Sequence, residues 1–256
     1  MTPHLATLVR NLQQRKARRR PSLAVAEGVR LVEEAIDAGL SFEGVIVSKT
    51  LERTDRGRAL RRRLDDAGVP MEELAESDLL DLADTDTPQG VLAVLEHPVW
   101  TSADLAVCAG MVHLVLDGVQ DPGNVGALLR AAFALGAGGA VLLPGSAHLT
   151  HPKVLRAAMG VTFNMPVVAL GRQDLLAWAE RETVTLWASA AGGADVRAVS
   201  RPERLAIIVG NEGAGVSAEL QEAADEVVSV RTVTQVESLN VAVAAGIILH
   251  EVMRAT

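Results

Sequence analysis

Apolar and polar residues follow two different patterns along the first hundred residues. Short continuous apolar segments at 23–26, 42–47 and 90–95 are typical of buried strands. Between them, apolar residues at helical spacing after Val29 and the charged segment 56–66 predict helices, each followed by a glycine. The pattern therefore predicts a small α/β unit of about 95 residues at the start of the chain.

The same alternation restarts after a region of small and polar residues that begins near His97 and Pro98. Apolar segments that predict strands lie at 112–116, 140–143, 184–187, 206–209 and 226–230. Continuous apolar strands separated by helices are typical of a parallel sheet covered by helices on both faces. We therefore predict an α/β fold class with a first domain at 1–97, a linker at 98–110 and a second domain at 111–256.

The composition narrows the class of protein. Of 256 residues, 49% are apolar and 22% are charged, which is typical of a globular chain. Cys108 is the only cysteine, so an internal disulfide and a thiolate-rich zinc site are both excluded, and we predict no metal. No apolar run is long enough to span a membrane, and arginines occupy the first twenty residues where a signal peptide would be apolar. We expect a cytoplasmic protein with no membrane partner.

The net charge of −8 hides an uneven distribution. Residues 1–70 have 14 basic and 9 acidic side chains, whereas residues 71–110 have 9 acidic side chains and no basic one. The basic residues form a first cluster and a second cluster, which are Arg15, Lys16, Arg18, Arg19 and Arg20, and Arg61, Arg62 and Arg63. Such clusters suit phosphate contacts even on an acidic protein, although a solvated helix face has the same pattern. With no Tyr, three Phe and three Trp, a binding surface of several stacked aromatics is excluded.

Three segments carry candidate chemistry at strand-to-loop junctions or before the last helix, where open α/β sheets bind ligands. Residues 117–126 contain three glycines and a proline before a helix, so that Asn124 either caps this helix or faces a ligand. Residues 210–217 place three glycines around Glu212, which suits a plain turn or a backbone lying against a ligand, without a dinucleotide fingerprint or a P-loop. Ser238 and Asn240 precede the final helix, although capping needs only one of them.

Together these segments resemble the SpoU/TrmH family of RNA ribose 2′-O-methyltransferases, in the SPOUT class. The matching stretches are DPGNVGALLRAAFALGA at 121–137, IIVGNEGAGVS at 207–217 and VESLNVAVAAGIILHE at 236–251, and the likeness extends over 111–254. The first hundred residues resemble the ribosomal-protein-like substrate-binding domain that precedes the catalytic domain in many members. The stretches that carry this second resemblance are LAVAEGVRLVEEAIDAG at 23–39 and TPQGVLAVL at 87–95.

The resemblance implies a C-terminal trefoil knot that holds S-adenosylmethionine, and a homodimer in which both subunits shape the active site. The candidate catalytic residues that it implies are Asn124, Arg130, Glu212, Ser238 and Asn240. The residues that it places at the methyl donor, largely through backbone groups, are Gly210, Val230 and Leu239. Glu212 is expected to orient Asn124 or Arg130, and Ser238 with Asn240 to hold the ribose.

The chain departs from the family pattern ahead of the third motif. Where members have Ile-Pro-Met and then Gly, this chain has Val230-Arg231-Thr232-Val233-Thr234. We expect an arginine and two threonines at this place to alter the shape of the donor-binding loop.

The implied reaction is methylation of a ribose 2′-hydroxyl in structured RNA, with ribosomal RNA favoured over transfer RNA. Because a guanidinium stays protonated at neutral pH, we expect Arg130 to clamp RNA and stabilise developing negative charge, and leave the proton acceptor open. A catalytically silent RNA-binding module is one alternative, and a nucleotide-dependent oxidoreductase is another, which the missing fingerprint disfavours. We expect RNA affinity to depend on the two basic clusters and to fall steeply with salt.

Overall fold

The computed structural model describes residues 5–13, 22–233 and 239–254. These residues fall into two compact units. The N-terminal unit lies within 1–99 and 149–164, and the C-terminal unit lies within 100–148 and 165–256. No helix in the described ranges is long and apolar enough to cross a membrane.

The N-terminal unit is built on a four-stranded mixed sheet. Its elements up to residue 99 are α1 (Leu5–Gln13), β1 (Leu23–Glu27), α2 (Val29–Asp37), β2 (Phe42–Val47), α3 (Asp55–Asp66), β3 (Met71–Glu73), α4 (Glu76–Leu80) and β4 (Val91–Glu96), with a 3-10 turn at Lys49–Arg53 between β2 and α3. The strand order is β1-β4-β2-β3, with β4 antiparallel to both neighbours and β2 parallel to β3. Successive residues of β4 alternate between the two apolar clusters on the faces of this sheet, as the two-residue period of a strand requires.

The C-terminal unit is built on a six-stranded sheet that is parallel throughout. The elements from residue 100 onward are β5 (Met111–Asp117), α5 (Pro122–Ala134), β6 (Gly139–Leu142), α6 (Pro152–Ala158), β7 (Val167–Ala169), α7 (Arg172–Glu182), β8 (Thr185–Asp195), β9 (Arg204–Gly210), α8 (Ala218–Ala223), β10 (Glu226–Ser229) and α9 (Val241–Arg254). All of them except α6 belong to this unit. The strand order is β10-β8-β9-β5-β6-β7, and each neighbouring pair is parallel.

The strand order reverses between β5 and β9. From β5 the chain adds β6 and then β7 on one side, and it returns to place β9 and β8 on the other side. Asp117, the last residue of β5, is in register with Gly210, the last residue of β9. The loops after these two strands therefore leave the sheet side by side, at the place where open α/β sheets bind ligands.

Most of the predicted elements are present, and the differences have local causes. The strands predicted at 23–26, 42–47 and 90–95 correspond to β1, β2 and β4. The three-residue strands β3 and β7 were not predicted, because three residues are too short to show a periodicity. Strand β8 continues to Asp195, past the end of its apolar segment at Trp187.

Residues 149–164 pack with the N-terminal unit, although they lie between β6 and β7 in the sequence. Leu155 and Phe163 are buried in its core, and Thr162 is within hydrogen-bond distance of the ring of His97, with Oγ1 and Nε2 3.0 Å apart. Apolar residues at helical spacing are the same whichever core they enter, so the sequence predicts α6 but not its neighbours. The boundaries at 97 and 111 remain a prediction of the domains.

Candidate active site

The loop after β5 is anchored by two aspartates. Asp121 caps α5, since its Oδ1 accepts a hydrogen bond from the backbone N–H of Asn124 at 2.9 Å, and Pro122 opens the helix. Asp117 is buried at the end of β5. Its Oδ1 accepts from Nε and Nη2 of Arg172 at 3.1 and 2.8 Å, and its Oδ2 accepts from the backbone N–H of Ser217 at 2.8 Å. Asp117 thus ties the loop after β9 to the end of β5 and to the start of α7.

Burial alone would raise the pKa of Asp117. The hydrogen bonds from Ser217 and the guanidinium of Arg172 outweigh burial and hold the pKa below its usual value. The sequence analysis did not single out Asp117 or Arg172. The signal that was available is a carboxylate that directly ends a buried apolar strand, where a charge needs a partner.

The loop after β9 folds back on itself. The backbone groups of Asn211 and Gly215 exchange two hydrogen bonds of 3.0 and 2.9 Å, and Oδ1 of Asn211 accepts from the N–H groups of Gly213 and Ala214. Nδ2 of Asn211 donates to the carbonyl of Gly118, which joins this loop to the loop after β5. A Cβ on Gly210 would lie 2.0 Å from the carbonyl carbon of Gly215, so only glycine fits there.

A chain of hydrogen bonds joins the three candidate segments. Nδ2 of Asn240 donates to Oδ1 of Asn124 at 3.0 Å, and Nδ2 of Asn124 donates to Oε1 of Glu212 at 2.9 Å. Glu212 also accepts from the backbone N–H groups of Asp121 at 3.2 Å and Gln120 at 3.3 Å. The structure therefore brings together Asn124, Glu212 and Asn240, which are 88 and 116 residues apart in neighbouring links of this chain.

The orientation of both amides follows from the carboxylate. An ionised carboxylate can only accept, so Asn124 must direct its NH2 group to Glu212 and its oxygen to Asn240. Asn240 must then direct its NH2 group to Asn124, while its own Oδ1 accepts from the N–H of Ala242 at 2.9 Å and caps α9. Each amide NH2 keeps one N–H outside this chain, so the site offers two oriented donors.

Glu212 remains ionised in this arrangement. Burial would raise its pKa, but hydrogen bonds from the side chain of Asn124 and from the backbone, including Asp121 and Gln120, lower it. A carboxylate with a lowered pKa and occupied oxygens is suited to hold the loops in place.

Arg130 is not part of this hydrogen-bond chain. Its side chain is exposed on α5, and it makes no hydrogen bond or ion pair with any residue that the structure describes. It follows Asn124 by six residues, which places the two side chains on different faces of the helix. Ser238 lies outside the described residues.

A cavity of about 860 Å³ borders the hydrogen-bond chain. Its walls come from 189–192, 209–216, 229–232 and 239–244, together with Gln221. The three residues predicted at the methyl donor, Gly210, Val230 and Leu239, all line it, as do Glu212 and Asn240.

The departure from the family pattern also meets this cavity. Val230, Arg231 and Thr232 form part of the wall, whereas the side chain of Val233 is 70% exposed. Thr234 lies outside the described residues.

The second basic cluster is largely ion-paired. Arg61 lies 3.3 Å from Glu52 and 3.6 Å from Glu73, and Arg63 pairs with Asp37. Arg62 lies on α3 with no acidic partner among the described residues. The residues of the first cluster, which are Arg15, Lys16, Arg18, Arg19 and Arg20, lie outside the described residues. The described ranges contain no group of three or more His, Cys, Asp or Glu side chains that could hold a metal ion.

Comparison with known protein families gives two matches that together span most of the chain. Residues 111–250 match the SpoU rRNA Methylase family, and residues 7–93 match the MRM3-like substrate binding domain. The chain belongs to the SpoU rRNA methylase family. All three motifs that carry the resemblance begin and nearly end within the first match, so the family expected from those motifs is confirmed.

Relatives of this SpoU-family chain include ribosomal RNA methyltransferases. It is 34% identical over 243 residues to the 23S rRNA (guanosine(2553)-2′-O)-methyltransferase RlmP of Bacillus subtilis, which covers 94% of this chain and 92% of that protein. It is 38% identical over 151 residues to the 23S rRNA (adenosine(1067)-2′-O)-methyltransferase of Streptomyces azureus, which covers 58% of this chain and 56% of that protein.

Solved structures of SpoU-family proteins are similar over nearly the whole chain. The SpoU methyltransferase AviRb from Streptomyces viridochromogenes, in complex with the cofactor AdoMet, has a TM-score of 0.86 and 27% identity, covering 98% of this chain and 97% of that one. The AdoMet-bound rRNA methyltransferase from Sinorhizobium meliloti has the same TM-score and identity, covering 99% and 95%.

Replacing Asp117 with Asn tests the anchor of the loop after β9. The variant loses the ion pair with Arg172, and we expect the free energy of unfolding at pH 7 to fall by about 2–3 kcal/mol, because one partner of this pair is buried. The folded-state pKa of Asp117 is lowered, so its contribution is present above about pH 4 and is lost as pH falls through that pKa. The difference between wild type and variant, measured by urea unfolding, should therefore shrink towards low pH.

The matched control is Glu182→Gln in the same unit. Glu182 and Arg181 form an ion pair in which both side chains are exposed, so its loss should cost about 1 kcal/mol or less. Equal losses for the two variants would show that Asp117 does not anchor the loop.

Proposed function

We propose that this SpoU-family protein transfers a methyl group from S-adenosylmethionine to a ribose 2′-hydroxyl in ribosomal RNA. The observation that carries the proposal is the hydrogen-bond chain Glu212–Asn124–Asn240 at the edge of the 860 Å³ cavity. The names of the relatives RlmP and AviRb support the same reaction, the first by its substrate and the second by its AdoMet complex.

The residues of the cavity fit the methyl donor. Its volume of about 860 Å³ lies in the range of pockets that bind small organic ligands. Its wall is made largely of glycine, alanine and backbone groups, which lets a ligand approach the main chain at Gly210, Gly213 and Gly215. The bound donor supplies an electrophilic methyl group on a positively charged sulfur, and the ionised Glu212 in the wall favours a positive charge nearby.

The two free amide N–H groups have a defined task in this proposal. A ribose hydroxyl is a weak nucleophile, and negative charge develops on its oxygen as the proton leaves. Asn124 and Asn240 direct their remaining N–H groups to that oxygen, and Glu212 holds both amides in orientation before the substrate arrives. Glu212 is thus a positioning residue. Ser238 remains a prediction as a second contact to the ribose with Asn240.

Arg130 is proposed to act across a dimer interface. Phe133 is exposed three residues after Arg130, on the same face of α5, and α5 packs against α9, where Val243 and Ile247 are also exposed. These apolar side chains are proposed to meet a second copy of the chain. An interface at this face covers Arg130, which has no partner among the described residues of its own chain and is therefore free to clamp RNA at the partner's site.

The remaining parts of the expected architecture stay proposals. We propose a trefoil knot around the donor cavity, supported by the convergence of segments near 190, 210, 230 and 240 on one cavity, and a ribosomal-protein-like N-terminal domain that binds RNA. The proposed location is the cytoplasm, where ribosomal RNA is the substrate. A catalytically silent RNA-binding module is the alternative if Arg231 and Thr232 in the cavity wall exclude the donor.

The reaction and its target are tested by mapping 2′-O-methyl groups in total RNA from cells with and without this protein. We expect one ribose in ribosomal RNA to lose its methyl group in the deletion strain and to regain it when the wild-type gene, but not a Glu212→Ala gene, is returned. A lost site in transfer RNA would change the substrate class. An unchanged map would favour the silent module.

The donor site is tested by replacing Gly210 with Ala. The added Cβ would meet the backbone of Gly215 and Val216 at 2.0–2.2 Å, so the loop has to move, and we expect S-adenosylmethionine affinity to fall by about tenfold or more in calorimetry. Gly213→Ala is the matched control in the same loop, because its Cβ would meet only Oδ1 of Asn211 at 3.6 Å. We expect the control to lose about threefold at most. Wild-type affinity in Gly210→Ala would contradict the placement of the donor.

The role of Arg130 is tested by mixing two inactive variants. Arg130→Ala should lose about 100-fold or more in turnover with near-normal donor affinity, and Arg130→Lys should not restore a bidentate clamp. If Arg130 serves the partner's site, refolding Arg130→Ala together with Gly210→Ala should restore about a quarter of wild-type activity, because half of the dimers are mixed and each has one complete site. No recovery on mixing would place Arg130 at the site of its own chain.

A further inference from the structure

The free cations of the N-terminal unit differ from the basic clusters seen in the sequence. Five arginines near or on α3 pair with acidic side chains of the same unit, which are Arg53 with Glu76, Arg56 with Glu33, Arg58 with Asp55, Arg61 with Glu52 and Glu73, and Arg63 with Asp37. Arg30, in contrast, makes no hydrogen bond or ion pair with a described residue. The strongest unpaired charge of this unit that also borders a recess is therefore at Arg30.

Arg30 lines a cavity of about 300 Å³ within the N-terminal unit. The other residues of its wall are Glu27, Gly28, Leu31, Thr85, Thr87, Gln89, Arg156 and Met159. The cavity thus combines the start of α2, the loop before β4 and α6, which are distant in sequence.

The acidic group of this cavity is already satisfied. The side chain of Glu27 is 3% exposed, and its oxygens accept from Thr85 Oγ1, from the backbone N–H of Asp84 at 2.8 Å and from Nη1 of Arg156 at 3.3 Å. Arg156 also donates to Asp84. Glu27 therefore holds the wall together and leaves no oxygen free for a ligand.

The groups that remain open towards the cavity are hydrogen-bond donors. Gln89 uses Oε1 to accept from the N–H of Val29 at 2.8 Å, so its NH2 group is unused by the described residues. The hydroxyl of Thr87 and the guanidinium of Arg30 are likewise without partners there. A positively charged fork, an amide NH2 and a hydroxyl favour a ligand that is anionic and rich in acceptors.

We propose that this cavity binds a backbone phosphodiester, with its ribose, of the substrate RNA. The proposal rests on the proposed function, which makes RNA the macromolecule that the protein must hold. Arg30 contacts the phosphate oxygens, and Gln89 and Thr87 donate to the phosphate or the sugar. The volume admits one such unit and no stacked bases, so the contact positions the RNA without reading its sequence.

The test measures binding of a fluorescent 23S rRNA transcript without the methyl donor, over a range of salt concentrations. Arg30→Ala should lower affinity about tenfold and reduce the slope of log affinity against log salt by about 0.7–0.9, the value for one lost phosphate contact. Gln89→Glu keeps the acceptor for Val29 but places a negative charge in the cavity, so it should lower affinity by a similar factor. Both variants should keep the wild-type melting temperature and donor affinity.

Two controls match these charge changes outside the cavity. Arg10→Ala removes an exposed arginine of α1, and Asn164→Asp adds a negative charge in the same unit, so each should bind RNA within about twofold of the wild type. Equal effects of cavity and control variants would overturn the proposal. A loss in Arg62→Ala with none in Arg30→Ala would also overturn it, and would place the phosphate contact on α3.

The outcome is separable from that of the proposed function. If the variants weaken RNA binding but no 2′-O-methyl group is lost in the deletion strain, the RNA site stands and the methyl transfer fails. If methylation is lost in the deletion strain while both cavity variants bind RNA like the wild type, the transferase stands and this site fails.

Discussion

Parallel pairing of β5 with β9 brings the candidate active site together. The pairing ends with Asp117 opposite Gly210, so the loops that follow lie side by side at the point where strand order reverses. Asn211 then reaches the carbonyl of Gly118, and Glu212 reaches Asn124 on α5. A slip of this register would separate the two loops and leave Glu212 without its donors. The proposed chemistry therefore depends on a contact between two buried apolar strands.

Carboxylates in this protein are used to hold segments together. Asp117 joins the loop after β9 to α7, Glu212 joins the loop after β5 to the start of α9 through two amides, and Glu27 joins α6 to the loop before β4. In each case donors from distant segments occupy the oxygens, which compensates for the loss of water around a charge. The groups left open to a ligand are then N–H and O–H donors. Both proposed sites would meet oxygen-rich partners, a ribose in one and a phosphodiester in the other.

Local charge explains how a chain with a net charge of −8 can hold RNA. Arg61 and Arg63 lie beside acidic side chains and contribute less field than their number suggests, whereas Arg30 keeps its charge at the edge of a recess. The value of a basic residue for RNA binding therefore depends on its neighbours in space. The sequence shows the abundance of arginine but not these neighbours.

The sequence by itself determined the types and order of most elements, because the alternation of buried and exposed positions is a local property of strands and helices. It also indicated that Asn124, Glu212 and Asn240 matter, since glycine and capping residues around them mark loops that face a ligand. Only the tertiary structure decided that these three residues join, that Arg130 stands apart from them, and that Asp117 pairs with Arg172. It also placed Leu155 in the N-terminal core. These contacts join residues from 55 to 129 positions apart in the ion pairs and hydrogen bonds described, and strand pairing, which local periodicity does not report, decides which of them meet.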